Sequence, residues 1–396
     1  MDAAPRSLLD VRSSLKVQWY RSPIERETLR QIMRRSNLRG ACQAVGHLAL
    51  WCLTGSVAYY MFSQQLWVGF AIALSLHGTV GSFFKGLATH ELGHGTVFRT
   101  PALNKLFLRI YSLLGWWNFH VYAMSHTYHH RYTLHPEGDR EVVLPKTPTL
   151  KALCLLQLFT VNICFATETV PMFQTIRRTV YTAMNRFDTE WHEALYQAHP
   201  EARAQAVRWA RILLLFNVLV IAGSFMIGMP ILAVLISGHL FIGNWLRYFV
   251  GLPMHCGLRE NVPDFRLCTR TITLNPIAEF LYWHMNWHAE HHMFAGVPCY
   301  KLAQLHNAIK DDMPAPRTLV GAWREMRQTW RRQQKEPGYQ FDTPLPPTAG
   351  THLTQDTTPK DDQSLESSIG DLAPPVLSSV TTEERTSAAR RPRCPG

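Results

Sequence analysis

The residues of this chain best suited to chemistry are its histidines, 19 among 396 positions. Eight of them fall in three clusters: His90-Glu91-Leu92-Gly93-His94, His126-Thr127-Tyr128-His129-His130 and His288-Ala289-Glu290-His291-His292. A chain of this composition should contain roughly 0.04 HxxHH triplets by chance, yet two occur beside an HxxxH. Spacings of three and four residues put the imidazoles of each cluster on one face of a helix. Imidazole suits iron, copper, zinc and nickel, and several such faces brought together can surround more than one ion. Solvated surface histidines have no reason to repeat in this way.

The first cluster also fits HExxH, in which His90 and His94 would bind zinc and Glu91 would act as the general base of a metalloprotease. Such a site needs one further ligand, so it leaves most of the six other clustered histidines without a role. In a long helix Glu91 would point away from the metal face, or hold an imidazole from behind.

Four apolar runs frame these clusters: 41–62, 66–84, 212–228 and 231–254. Each is near the ~20 residues that cross ~30 Å of hydrocarbon. The joints at 63–65 and around Met229 and Pro230 carry no charge, so the runs pair into two tight helical hairpins. Arg34, Arg35, Arg39, Lys85, Arg208, Arg211 and Arg259 flank the outer ends, and the positive-inside rule puts both termini and the segment 85–211 in the cytosol. The expected fold is therefore an all-α integral membrane protein. It has four transmembrane helices in two hairpins and a cytosolic helical cap carrying the histidines. His47, His77 and His239 fall inside spans and read as core or bundle-facing histidines that need partners. Two further apolar stretches, 102–117 and 150–173, fit either a third membrane hairpin or half-buried helices on the cytosolic face. The second fits better, because one extra span would separate the clusters.

The ends differ from this core. Residues 1–38 form a basic arm, and the first forty residues carry nine Lys/Arg against four Asp/Glu, a net of +5. The arm suits an anionic cytosolic leaflet and does not have the form of a cleavable signal. Residues 39–335 hold the membrane domain. Residues 336–396 turn to Ser, Thr, Pro and Asp, a tail with too little apolar surface to bury. The tail nets −4, so with +11 overall the remainder carries +15. Membrane orientation accounts for that charge, and no aromatic-basic motif points to nucleic acid. The eight cysteines form no CxxC pair, so neither a zinc ribbon nor a disulfide framework is expected.

HELGH, HTYHH and HAEHH resemble the three histidine boxes, in order, of the membrane fatty acid desaturase family, which includes related hydroxylases and ketolases. The stretches SHTYHHRYTLHPEGDREVVLP and NPIAEFLYWHMNWHAEHHMFAGVPCYKLAQLHNAIK are especially similar, and the resemblance covers roughly residues 39–330. It implies a non-haem enzyme with two iron ions that activates O2 and desaturates a fatty acyl or related lipid chain. A hydroxylase or ketolase of the same fold, acting on a lipid, polyketide or terpenoid, is the alternative. The implied iron ligands are His90, His94, His126, His129, His130, His288, His291 and His292, with a ninth, His255 in GLPMHCGL, from the end of the fourth span. The resemblance implies a membrane lipid or acyl substrate. It also implies a separate electron donor, a b-type cytochrome or a ferredoxin with its reductase, since no HPGG haem motif is present. The Ser/Thr/Pro tail points to the endoplasmic reticulum membrane.

Glu91, Glu290, Asp139 and Glu141 are candidates to orient the imidazoles from behind, and Asn244 could face the same site. His284 stands where the family carries Asn, and fits an outer partner of His288 or a packing role equally. His120 and His135 flank the second box without being expected as ligands, and Ala295 replaces the usual proline after HHMF. Trp116, Trp117, Trp245 and Trp283 fit the walls of an acyl cavity or, more often, interfacial anchors. Arg131, Arg140 and Lys146 fit a docking patch for an acidic carrier or a solvated loop.

Overall fold

The computed structural model describes residues 8–165 and 168–350. Among these residues the chain is almost entirely helical, with one pair of short parallel strands. The helices preceding the site are α1 (Leu8–Ser14), α2 (Arg26–Ile32), α3 (Asn37–Ser63), α4 (Trp67–Ser82), α5 (Thr89–Gly93) and α6 (Pro101–Leu114). Then come α7 (Phe119–Tyr132), α8 (Ala152–Phe159), α9 (Met172–Ala183), α10 (Glu190–Tyr196) and α11 (Pro200–Met226). An irregular α12 (Ile231–Phe241), α13 (Trp245–Gly251), α14 (Phe265–Cys268) and β1 (Ile272–Thr273) follow. The chain continues through α15 (Pro276–Leu281), α16 (His288–Met293), α17 (Leu302–Ile309), β2 (Arg317–Thr318) and α18 (Leu319–Gln333).

Among the described residues three helices are long and apolar enough to cross a membrane: Asn37–Ser63, Trp67–Gly93 and Pro200–Met226. Their outward faces carry Leu53, Val68, Leu215 and Leu219, each more than half exposed, as lipid-facing side chains must be. Ser36 caps α3 by accepting from the Arg39 N–H at 3.3 Å, and Pro200 begins α11, where its missing N–H costs nothing. The turn between α3 and α4 is made at Gln65, with φ of 57°.

The fourth apolar run does not form a continuous helix, so three of the four expected spans stand as long apolar helices and the fourth is interrupted. It passes from α-helix through a π-turn at Val234–Gly238 and a 3-10 turn at His239–Phe241. It then opens at Gly243, with φ of +62°, before α13 begins. Hydropathy cannot see this break, because the segment remains apolar throughout. Its cause is close packing on α4: a Cβ at Gly78 would sit 2.3 Å from the Ile242 carbonyl oxygen, and one at Gly243 would sit 2.3 Å from that of Ser75. Asn244 repairs the broken ladder. Its side chain donates to the Leu240 carbonyl at 2.9 Å and accepts from the Val170 N–H at 2.8 Å. It therefore does not face the histidines.

The span Trp67–Gly93 also has a kink, at Lys85 and Gly86, where Gly86 takes φ of +78°. Only glycine adopts that conformation without strain. Arg247 from α13 donates to the Ser82 and Lys85 carbonyls, at 3.2 and 2.6 Å, and so satisfies acceptors released by the kink. The kink re-aims α5, and with it the first histidine box.

The stretch 102–117 forms α6, at 14 residues too short to span. In 150–173 only Ala152–Phe159 is helical before the chain turns irregular, with Val161 bridging to Ile242. The amino-terminal segment lies against the domain: Trp19 stacks on Phe265 at 4.0 Å, and Tyr20 donates to Asp312 at 3.0 Å. The Arg266 guanidinium lies 3.8 Å from the Tyr20 ring centroid and pairs with Asp264 and Asp312. Residues 336–350, placed in the tail by composition, also touch the domain, through Phe341 to Gly257 and Gly350 to Asp312. The remaining tail, 351–396, lies outside the described residues.

Candidate metal centre

The first box occupies α5 and its C-cap, the second the last turns of α7, and the third all of α16. His255 follows the 3-10 turn Leu252–Met254. All nine histidines come together, in two groups. His90, His94, His126, His130 and His291 make the first, and His129, His255, His288 and His292 the second. Within each group one ring nitrogen per residue lies within 4.8 Å of all the others. Helix geometry explains the division. At about 100° per residue, positions four apart lie ~40° apart around the axis, whereas adjacent ones lie ~100° apart. His126 and His130 therefore serve the first group while His129 turns to the second. In the third box His288 and His292 serve the second group while His291 turns to the first. An HxxHH box reaches two sites at once.

Five of the outward nitrogens are fixed by acceptors behind them. Asp139 takes the His129 Nδ1–H at 2.9 Å, Glu141 takes that of His126 at 3.0 Å, and Glu91 takes that of His90 at 2.7 Å. The Cys268 carbonyl takes the His255 Nδ1–H at 3.0 Å. Thr133 donates its hydroxyl proton to the His129 carbonyl, so it accepts from His292 Nδ1 at 3.1 Å. Each of these five imidazoles consequently presents a bare Nε2 inward. The Nε2 atoms of His90, His94 and His126 are buried without a partner among the described residues.

Burial pushes the His94 imidazole down to about 3. Burial, with the neighbouring imidazoles, also holds His126, His130, His255, His288, His291 and His292 well below their ordinary value. These rings are neutral at pH 7, the state in which a nitrogen can ligate. Burial acts on His129 in the same direction, but the charge and hydrogen bond of Asp139 more than offset it and raise its pKa. A carboxylate behind a metal-binding imidazole makes it a stronger donor.

The residues fit a pair of metal ions. Imidazole–metal bonds of about 2.0–2.1 Å, as zinc makes, put neighbouring ligand nitrogens about 3 Å apart when they subtend a right angle. The observed Nε2···Nε2 separations are 2.9 Å for His255–His288, 3.1 Å for His288–His292 and 3.3 Å for His130–His291. An all-nitrogen donor set suits iron, copper, zinc or nickel over calcium or magnesium.

The profile of the fatty acid desaturase family matches residues 65–322, a stretch that contains all nine histidines. The chain belongs to the fatty acid desaturase family. Membership makes it an oxidoreductase of lipids and explains why histidine-lined sites stand beside apolar helices. A search of curated proteins gives no significant match.

Several residues of this desaturase-family chain lie elsewhere than the sequence suggests. Glu290 touches none of the nine; it accepts from Thr271 and His306, each at 2.6 Å. His284 pairs with Glu279 at 3.0 Å, which also accepts from Trp287. His135 donates to the Thr133 carbonyl and packs edge-on to Trp19, and His120 packs on Phe119. Trp283 is fully buried and donates to His47, while Trp116 donates to the Ser237 carbonyl. Lys146 is not free for docking, since it pairs with Glu168. Sequence reasoning missed Thr133, four residues after His129 and so on the same helical face, and the Cys268 carbonyl, which no side-chain pattern reveals.

Proposed function

We propose that this protein is an O2-dependent desaturase that introduces a C=C bond into a fatty acyl or related lipid chain. The observation supporting this most directly is the pairing of a five-histidine with a four-histidine group, each backed by fixed acceptors, inside a fatty acid desaturase domain. In this reading His90, His94, His126, His130 and His291 hold one iron, and His129, His255, His288 and His292 hold the other. When bound, the irons supply reductive activation of dioxygen and the oxidising power to take hydrogen from an unactivated C–H bond.

The chain's own residues do the positioning. Asp139, Glu141, Glu91, Thr133 and the Cys268 carbonyl fix the tautomer and direction of five imidazoles, so that none of these five must reorient during turnover. Burial of the set excludes water that would otherwise quench oxidising equivalents. Removing two hydrogens from the lipid supplies two of the four electrons needed to take O2 to two waters. The other two come from a separate donor, a b-type cytochrome or a ferredoxin with its reductase. The broken segment 231–254 serves as the fourth crossing, which gives two hairpins and places both termini and the histidines on the cytosolic face of the endoplasmic reticulum. The arm 1–38, the domain 39–335 and the tail 336–396 are the units of this arrangement.

Expression in yeast membranes, with iron and zinc counted per chain and total lipids profiled by mass spectrometry, tests the reading. Two irons and a lipid lighter by two hydrogens are expected. A product heavier by one oxygen would move the activity to hydroxylation. Zinc alone, in a preparation shown not to have lost iron, would overturn it.

A further inference from the structure

Beside the first histidine group lies a polar cluster that the reaction described above does not use. Lys85 at the kink and Arg247 on α13 are both half-buried. Tyr122 is half-buried in the same way. Among the described residues neither cation has a carboxylate within salt-bridge distance. Arg247 senses the charge of Glu168, but that carboxylate is already paired with Lys146. Lys85 spends one donor on Thr175, at 3.2 Å, and its ammonium lies 5.0 Å from the Trp117 ring centroid.

Donors outnumber acceptors here. Arg247 Nε, Trp117 Nε1 and the Tyr282 hydroxyl are buried with no hydrogen-bond partner among the described residues. Arg247 is within electrostatic reach of both Tyr282 and Tyr122. Gly86 keeps space beside the guanidinium, because a Cβ there would come within 3.2 Å of Arg247 Nη2. Half-buried cations without a counter-charge and buried donors without acceptors both weaken a fold unless something satisfies them. An anion would satisfy this set. The cluster also adjoins the reaction site: Trp117 lies 5.2 Å from Tyr122, and Tyr122 stacks on His126 at 4.8 Å, centroid to centroid.

We propose that Lys85, Arg247, Trp117 and Tyr282 bind the carboxylate head of a free long-chain acid, and that this acid is the substrate. The proposal rests on the lipid-oxidising reading of the histidine site. A carboxylate offers two oxygens with about four lone-pair directions, enough for these donors.

The test is binding of radiolabelled palmitate and methyl palmitate to the full-length, metal-loaded protein in nanodiscs. Wild type should bind the acid at least about tenfold tighter than the ester, the worth of one charge-assisted hydrogen bond or more. Lys85→Met and Tyr282→Phe should each reduce that preference to about threefold or less while leaving ester binding unchanged. Tyr282→Phe removes only an oxygen that has no partner, so it keeps the test valid if Lys85→Met fails to fold. Equal affinity of wild type for acid and ester, or an undiminished preference in Tyr282→Phe, would overturn the proposal. A protein that prefers the acid but oxidises no lipid would overturn the functional reading and the acid's role as substrate, and leave the carboxylate site standing. One that oxidises the ester as readily as the acid, without preferring either in binding, would overturn this proposal alone.

Discussion

The Nε2 atoms of His255 and His288 lie 2.9 Å apart, with the Nδ1–H of His255 given to the Cys268 carbonyl. His255 therefore directs a lone pair at its neighbour. Two imidazole nitrogens at this distance are stable when a proton or a metal ion lies between them, and the nine-histidine arrangement favours the metal.

Substituting one residue from each group should separate the two sites. His129→Ala is expected to empty the four-histidine group, and His291→Ala to strip the five-histidine group of the one ligand it takes from the third box. Iron per chain should fall from two towards one in each variant and product should vanish. The spans should remain inserted, because they are held by apolar packing. Metal analysis and alkaline extraction of membranes measure both effects, and turnover by either variant would remove that residue from the ligand set.

Asp139 supports His129 and also accepts the Leu134 N–H at 3.0 Å. Burial alone would raise its pKa, but the His129 partnership and that N–H bring it below the usual carboxylate value. Asp139→Asn keeps the shape and removes the charge. Loss of such a partner costs about 10–100-fold in metal affinity. A competition titration against a chelator would show it, and unchanged affinity would mean that Asp139 acts only on the loop.

Glu91 separates the two chemistries that its sequence context permits. In the structure it accepts from His90 at 2.7 Å and stands 3.7 Å from His291, behind two imidazoles from different boxes. Glu91→Gln should lower iron affinity by about 10–100-fold and leave measurable desaturation when iron is supplied in excess. A zinc protease would lose its general base and all activity. Product assays across an iron titration distinguish the two.

Gly78→Ala tests whether the break in the fourth run depends on close packing. The new methyl would meet the Ile242 carbonyl at 2.3 Å, and backbone cannot turn aside as a side chain can. Overpacking of this kind costs about 1–3 kcal/mol or more. A lower melting temperature in detergent is expected, and an unchanged one would show that α4 and α12 can separate freely.

These relationships were legible in the sequence to different depths. The three boxes were readable because i, i+3 and i+4 spacing translates directly into one helical face. The same spacing also contained the division into two groups, since His129 and His130 must diverge by about 100°. Asp139, Glu141 and Glu91 were readable as nearby acids, but Glu290 has the same local appearance and turns to His306 instead. The first three crossings followed from hydropathy. The fourth run did not, because its interruption depends on Gly78, Gly243 and Asn244 meeting across the bundle, a tertiary fact without a hydropathy signal. Lys85 read as a charge marking the cytosolic end of a span. Its side chain instead turns inward over Trp117, because the chain kinks at Gly86.

The way the boxes are shared between groups has a consequence for biosynthesis. The five-histidine group draws four members from residues 90–130 but waits for His291, and the other group has only His129 before residue 255. Chains are synthesised from the amino terminus and fold domain by domain as they emerge. The membrane helices are thus inserted and packed while both groups are still missing ligands. A complete ligand set for either group exists only once α16 has left the ribosome.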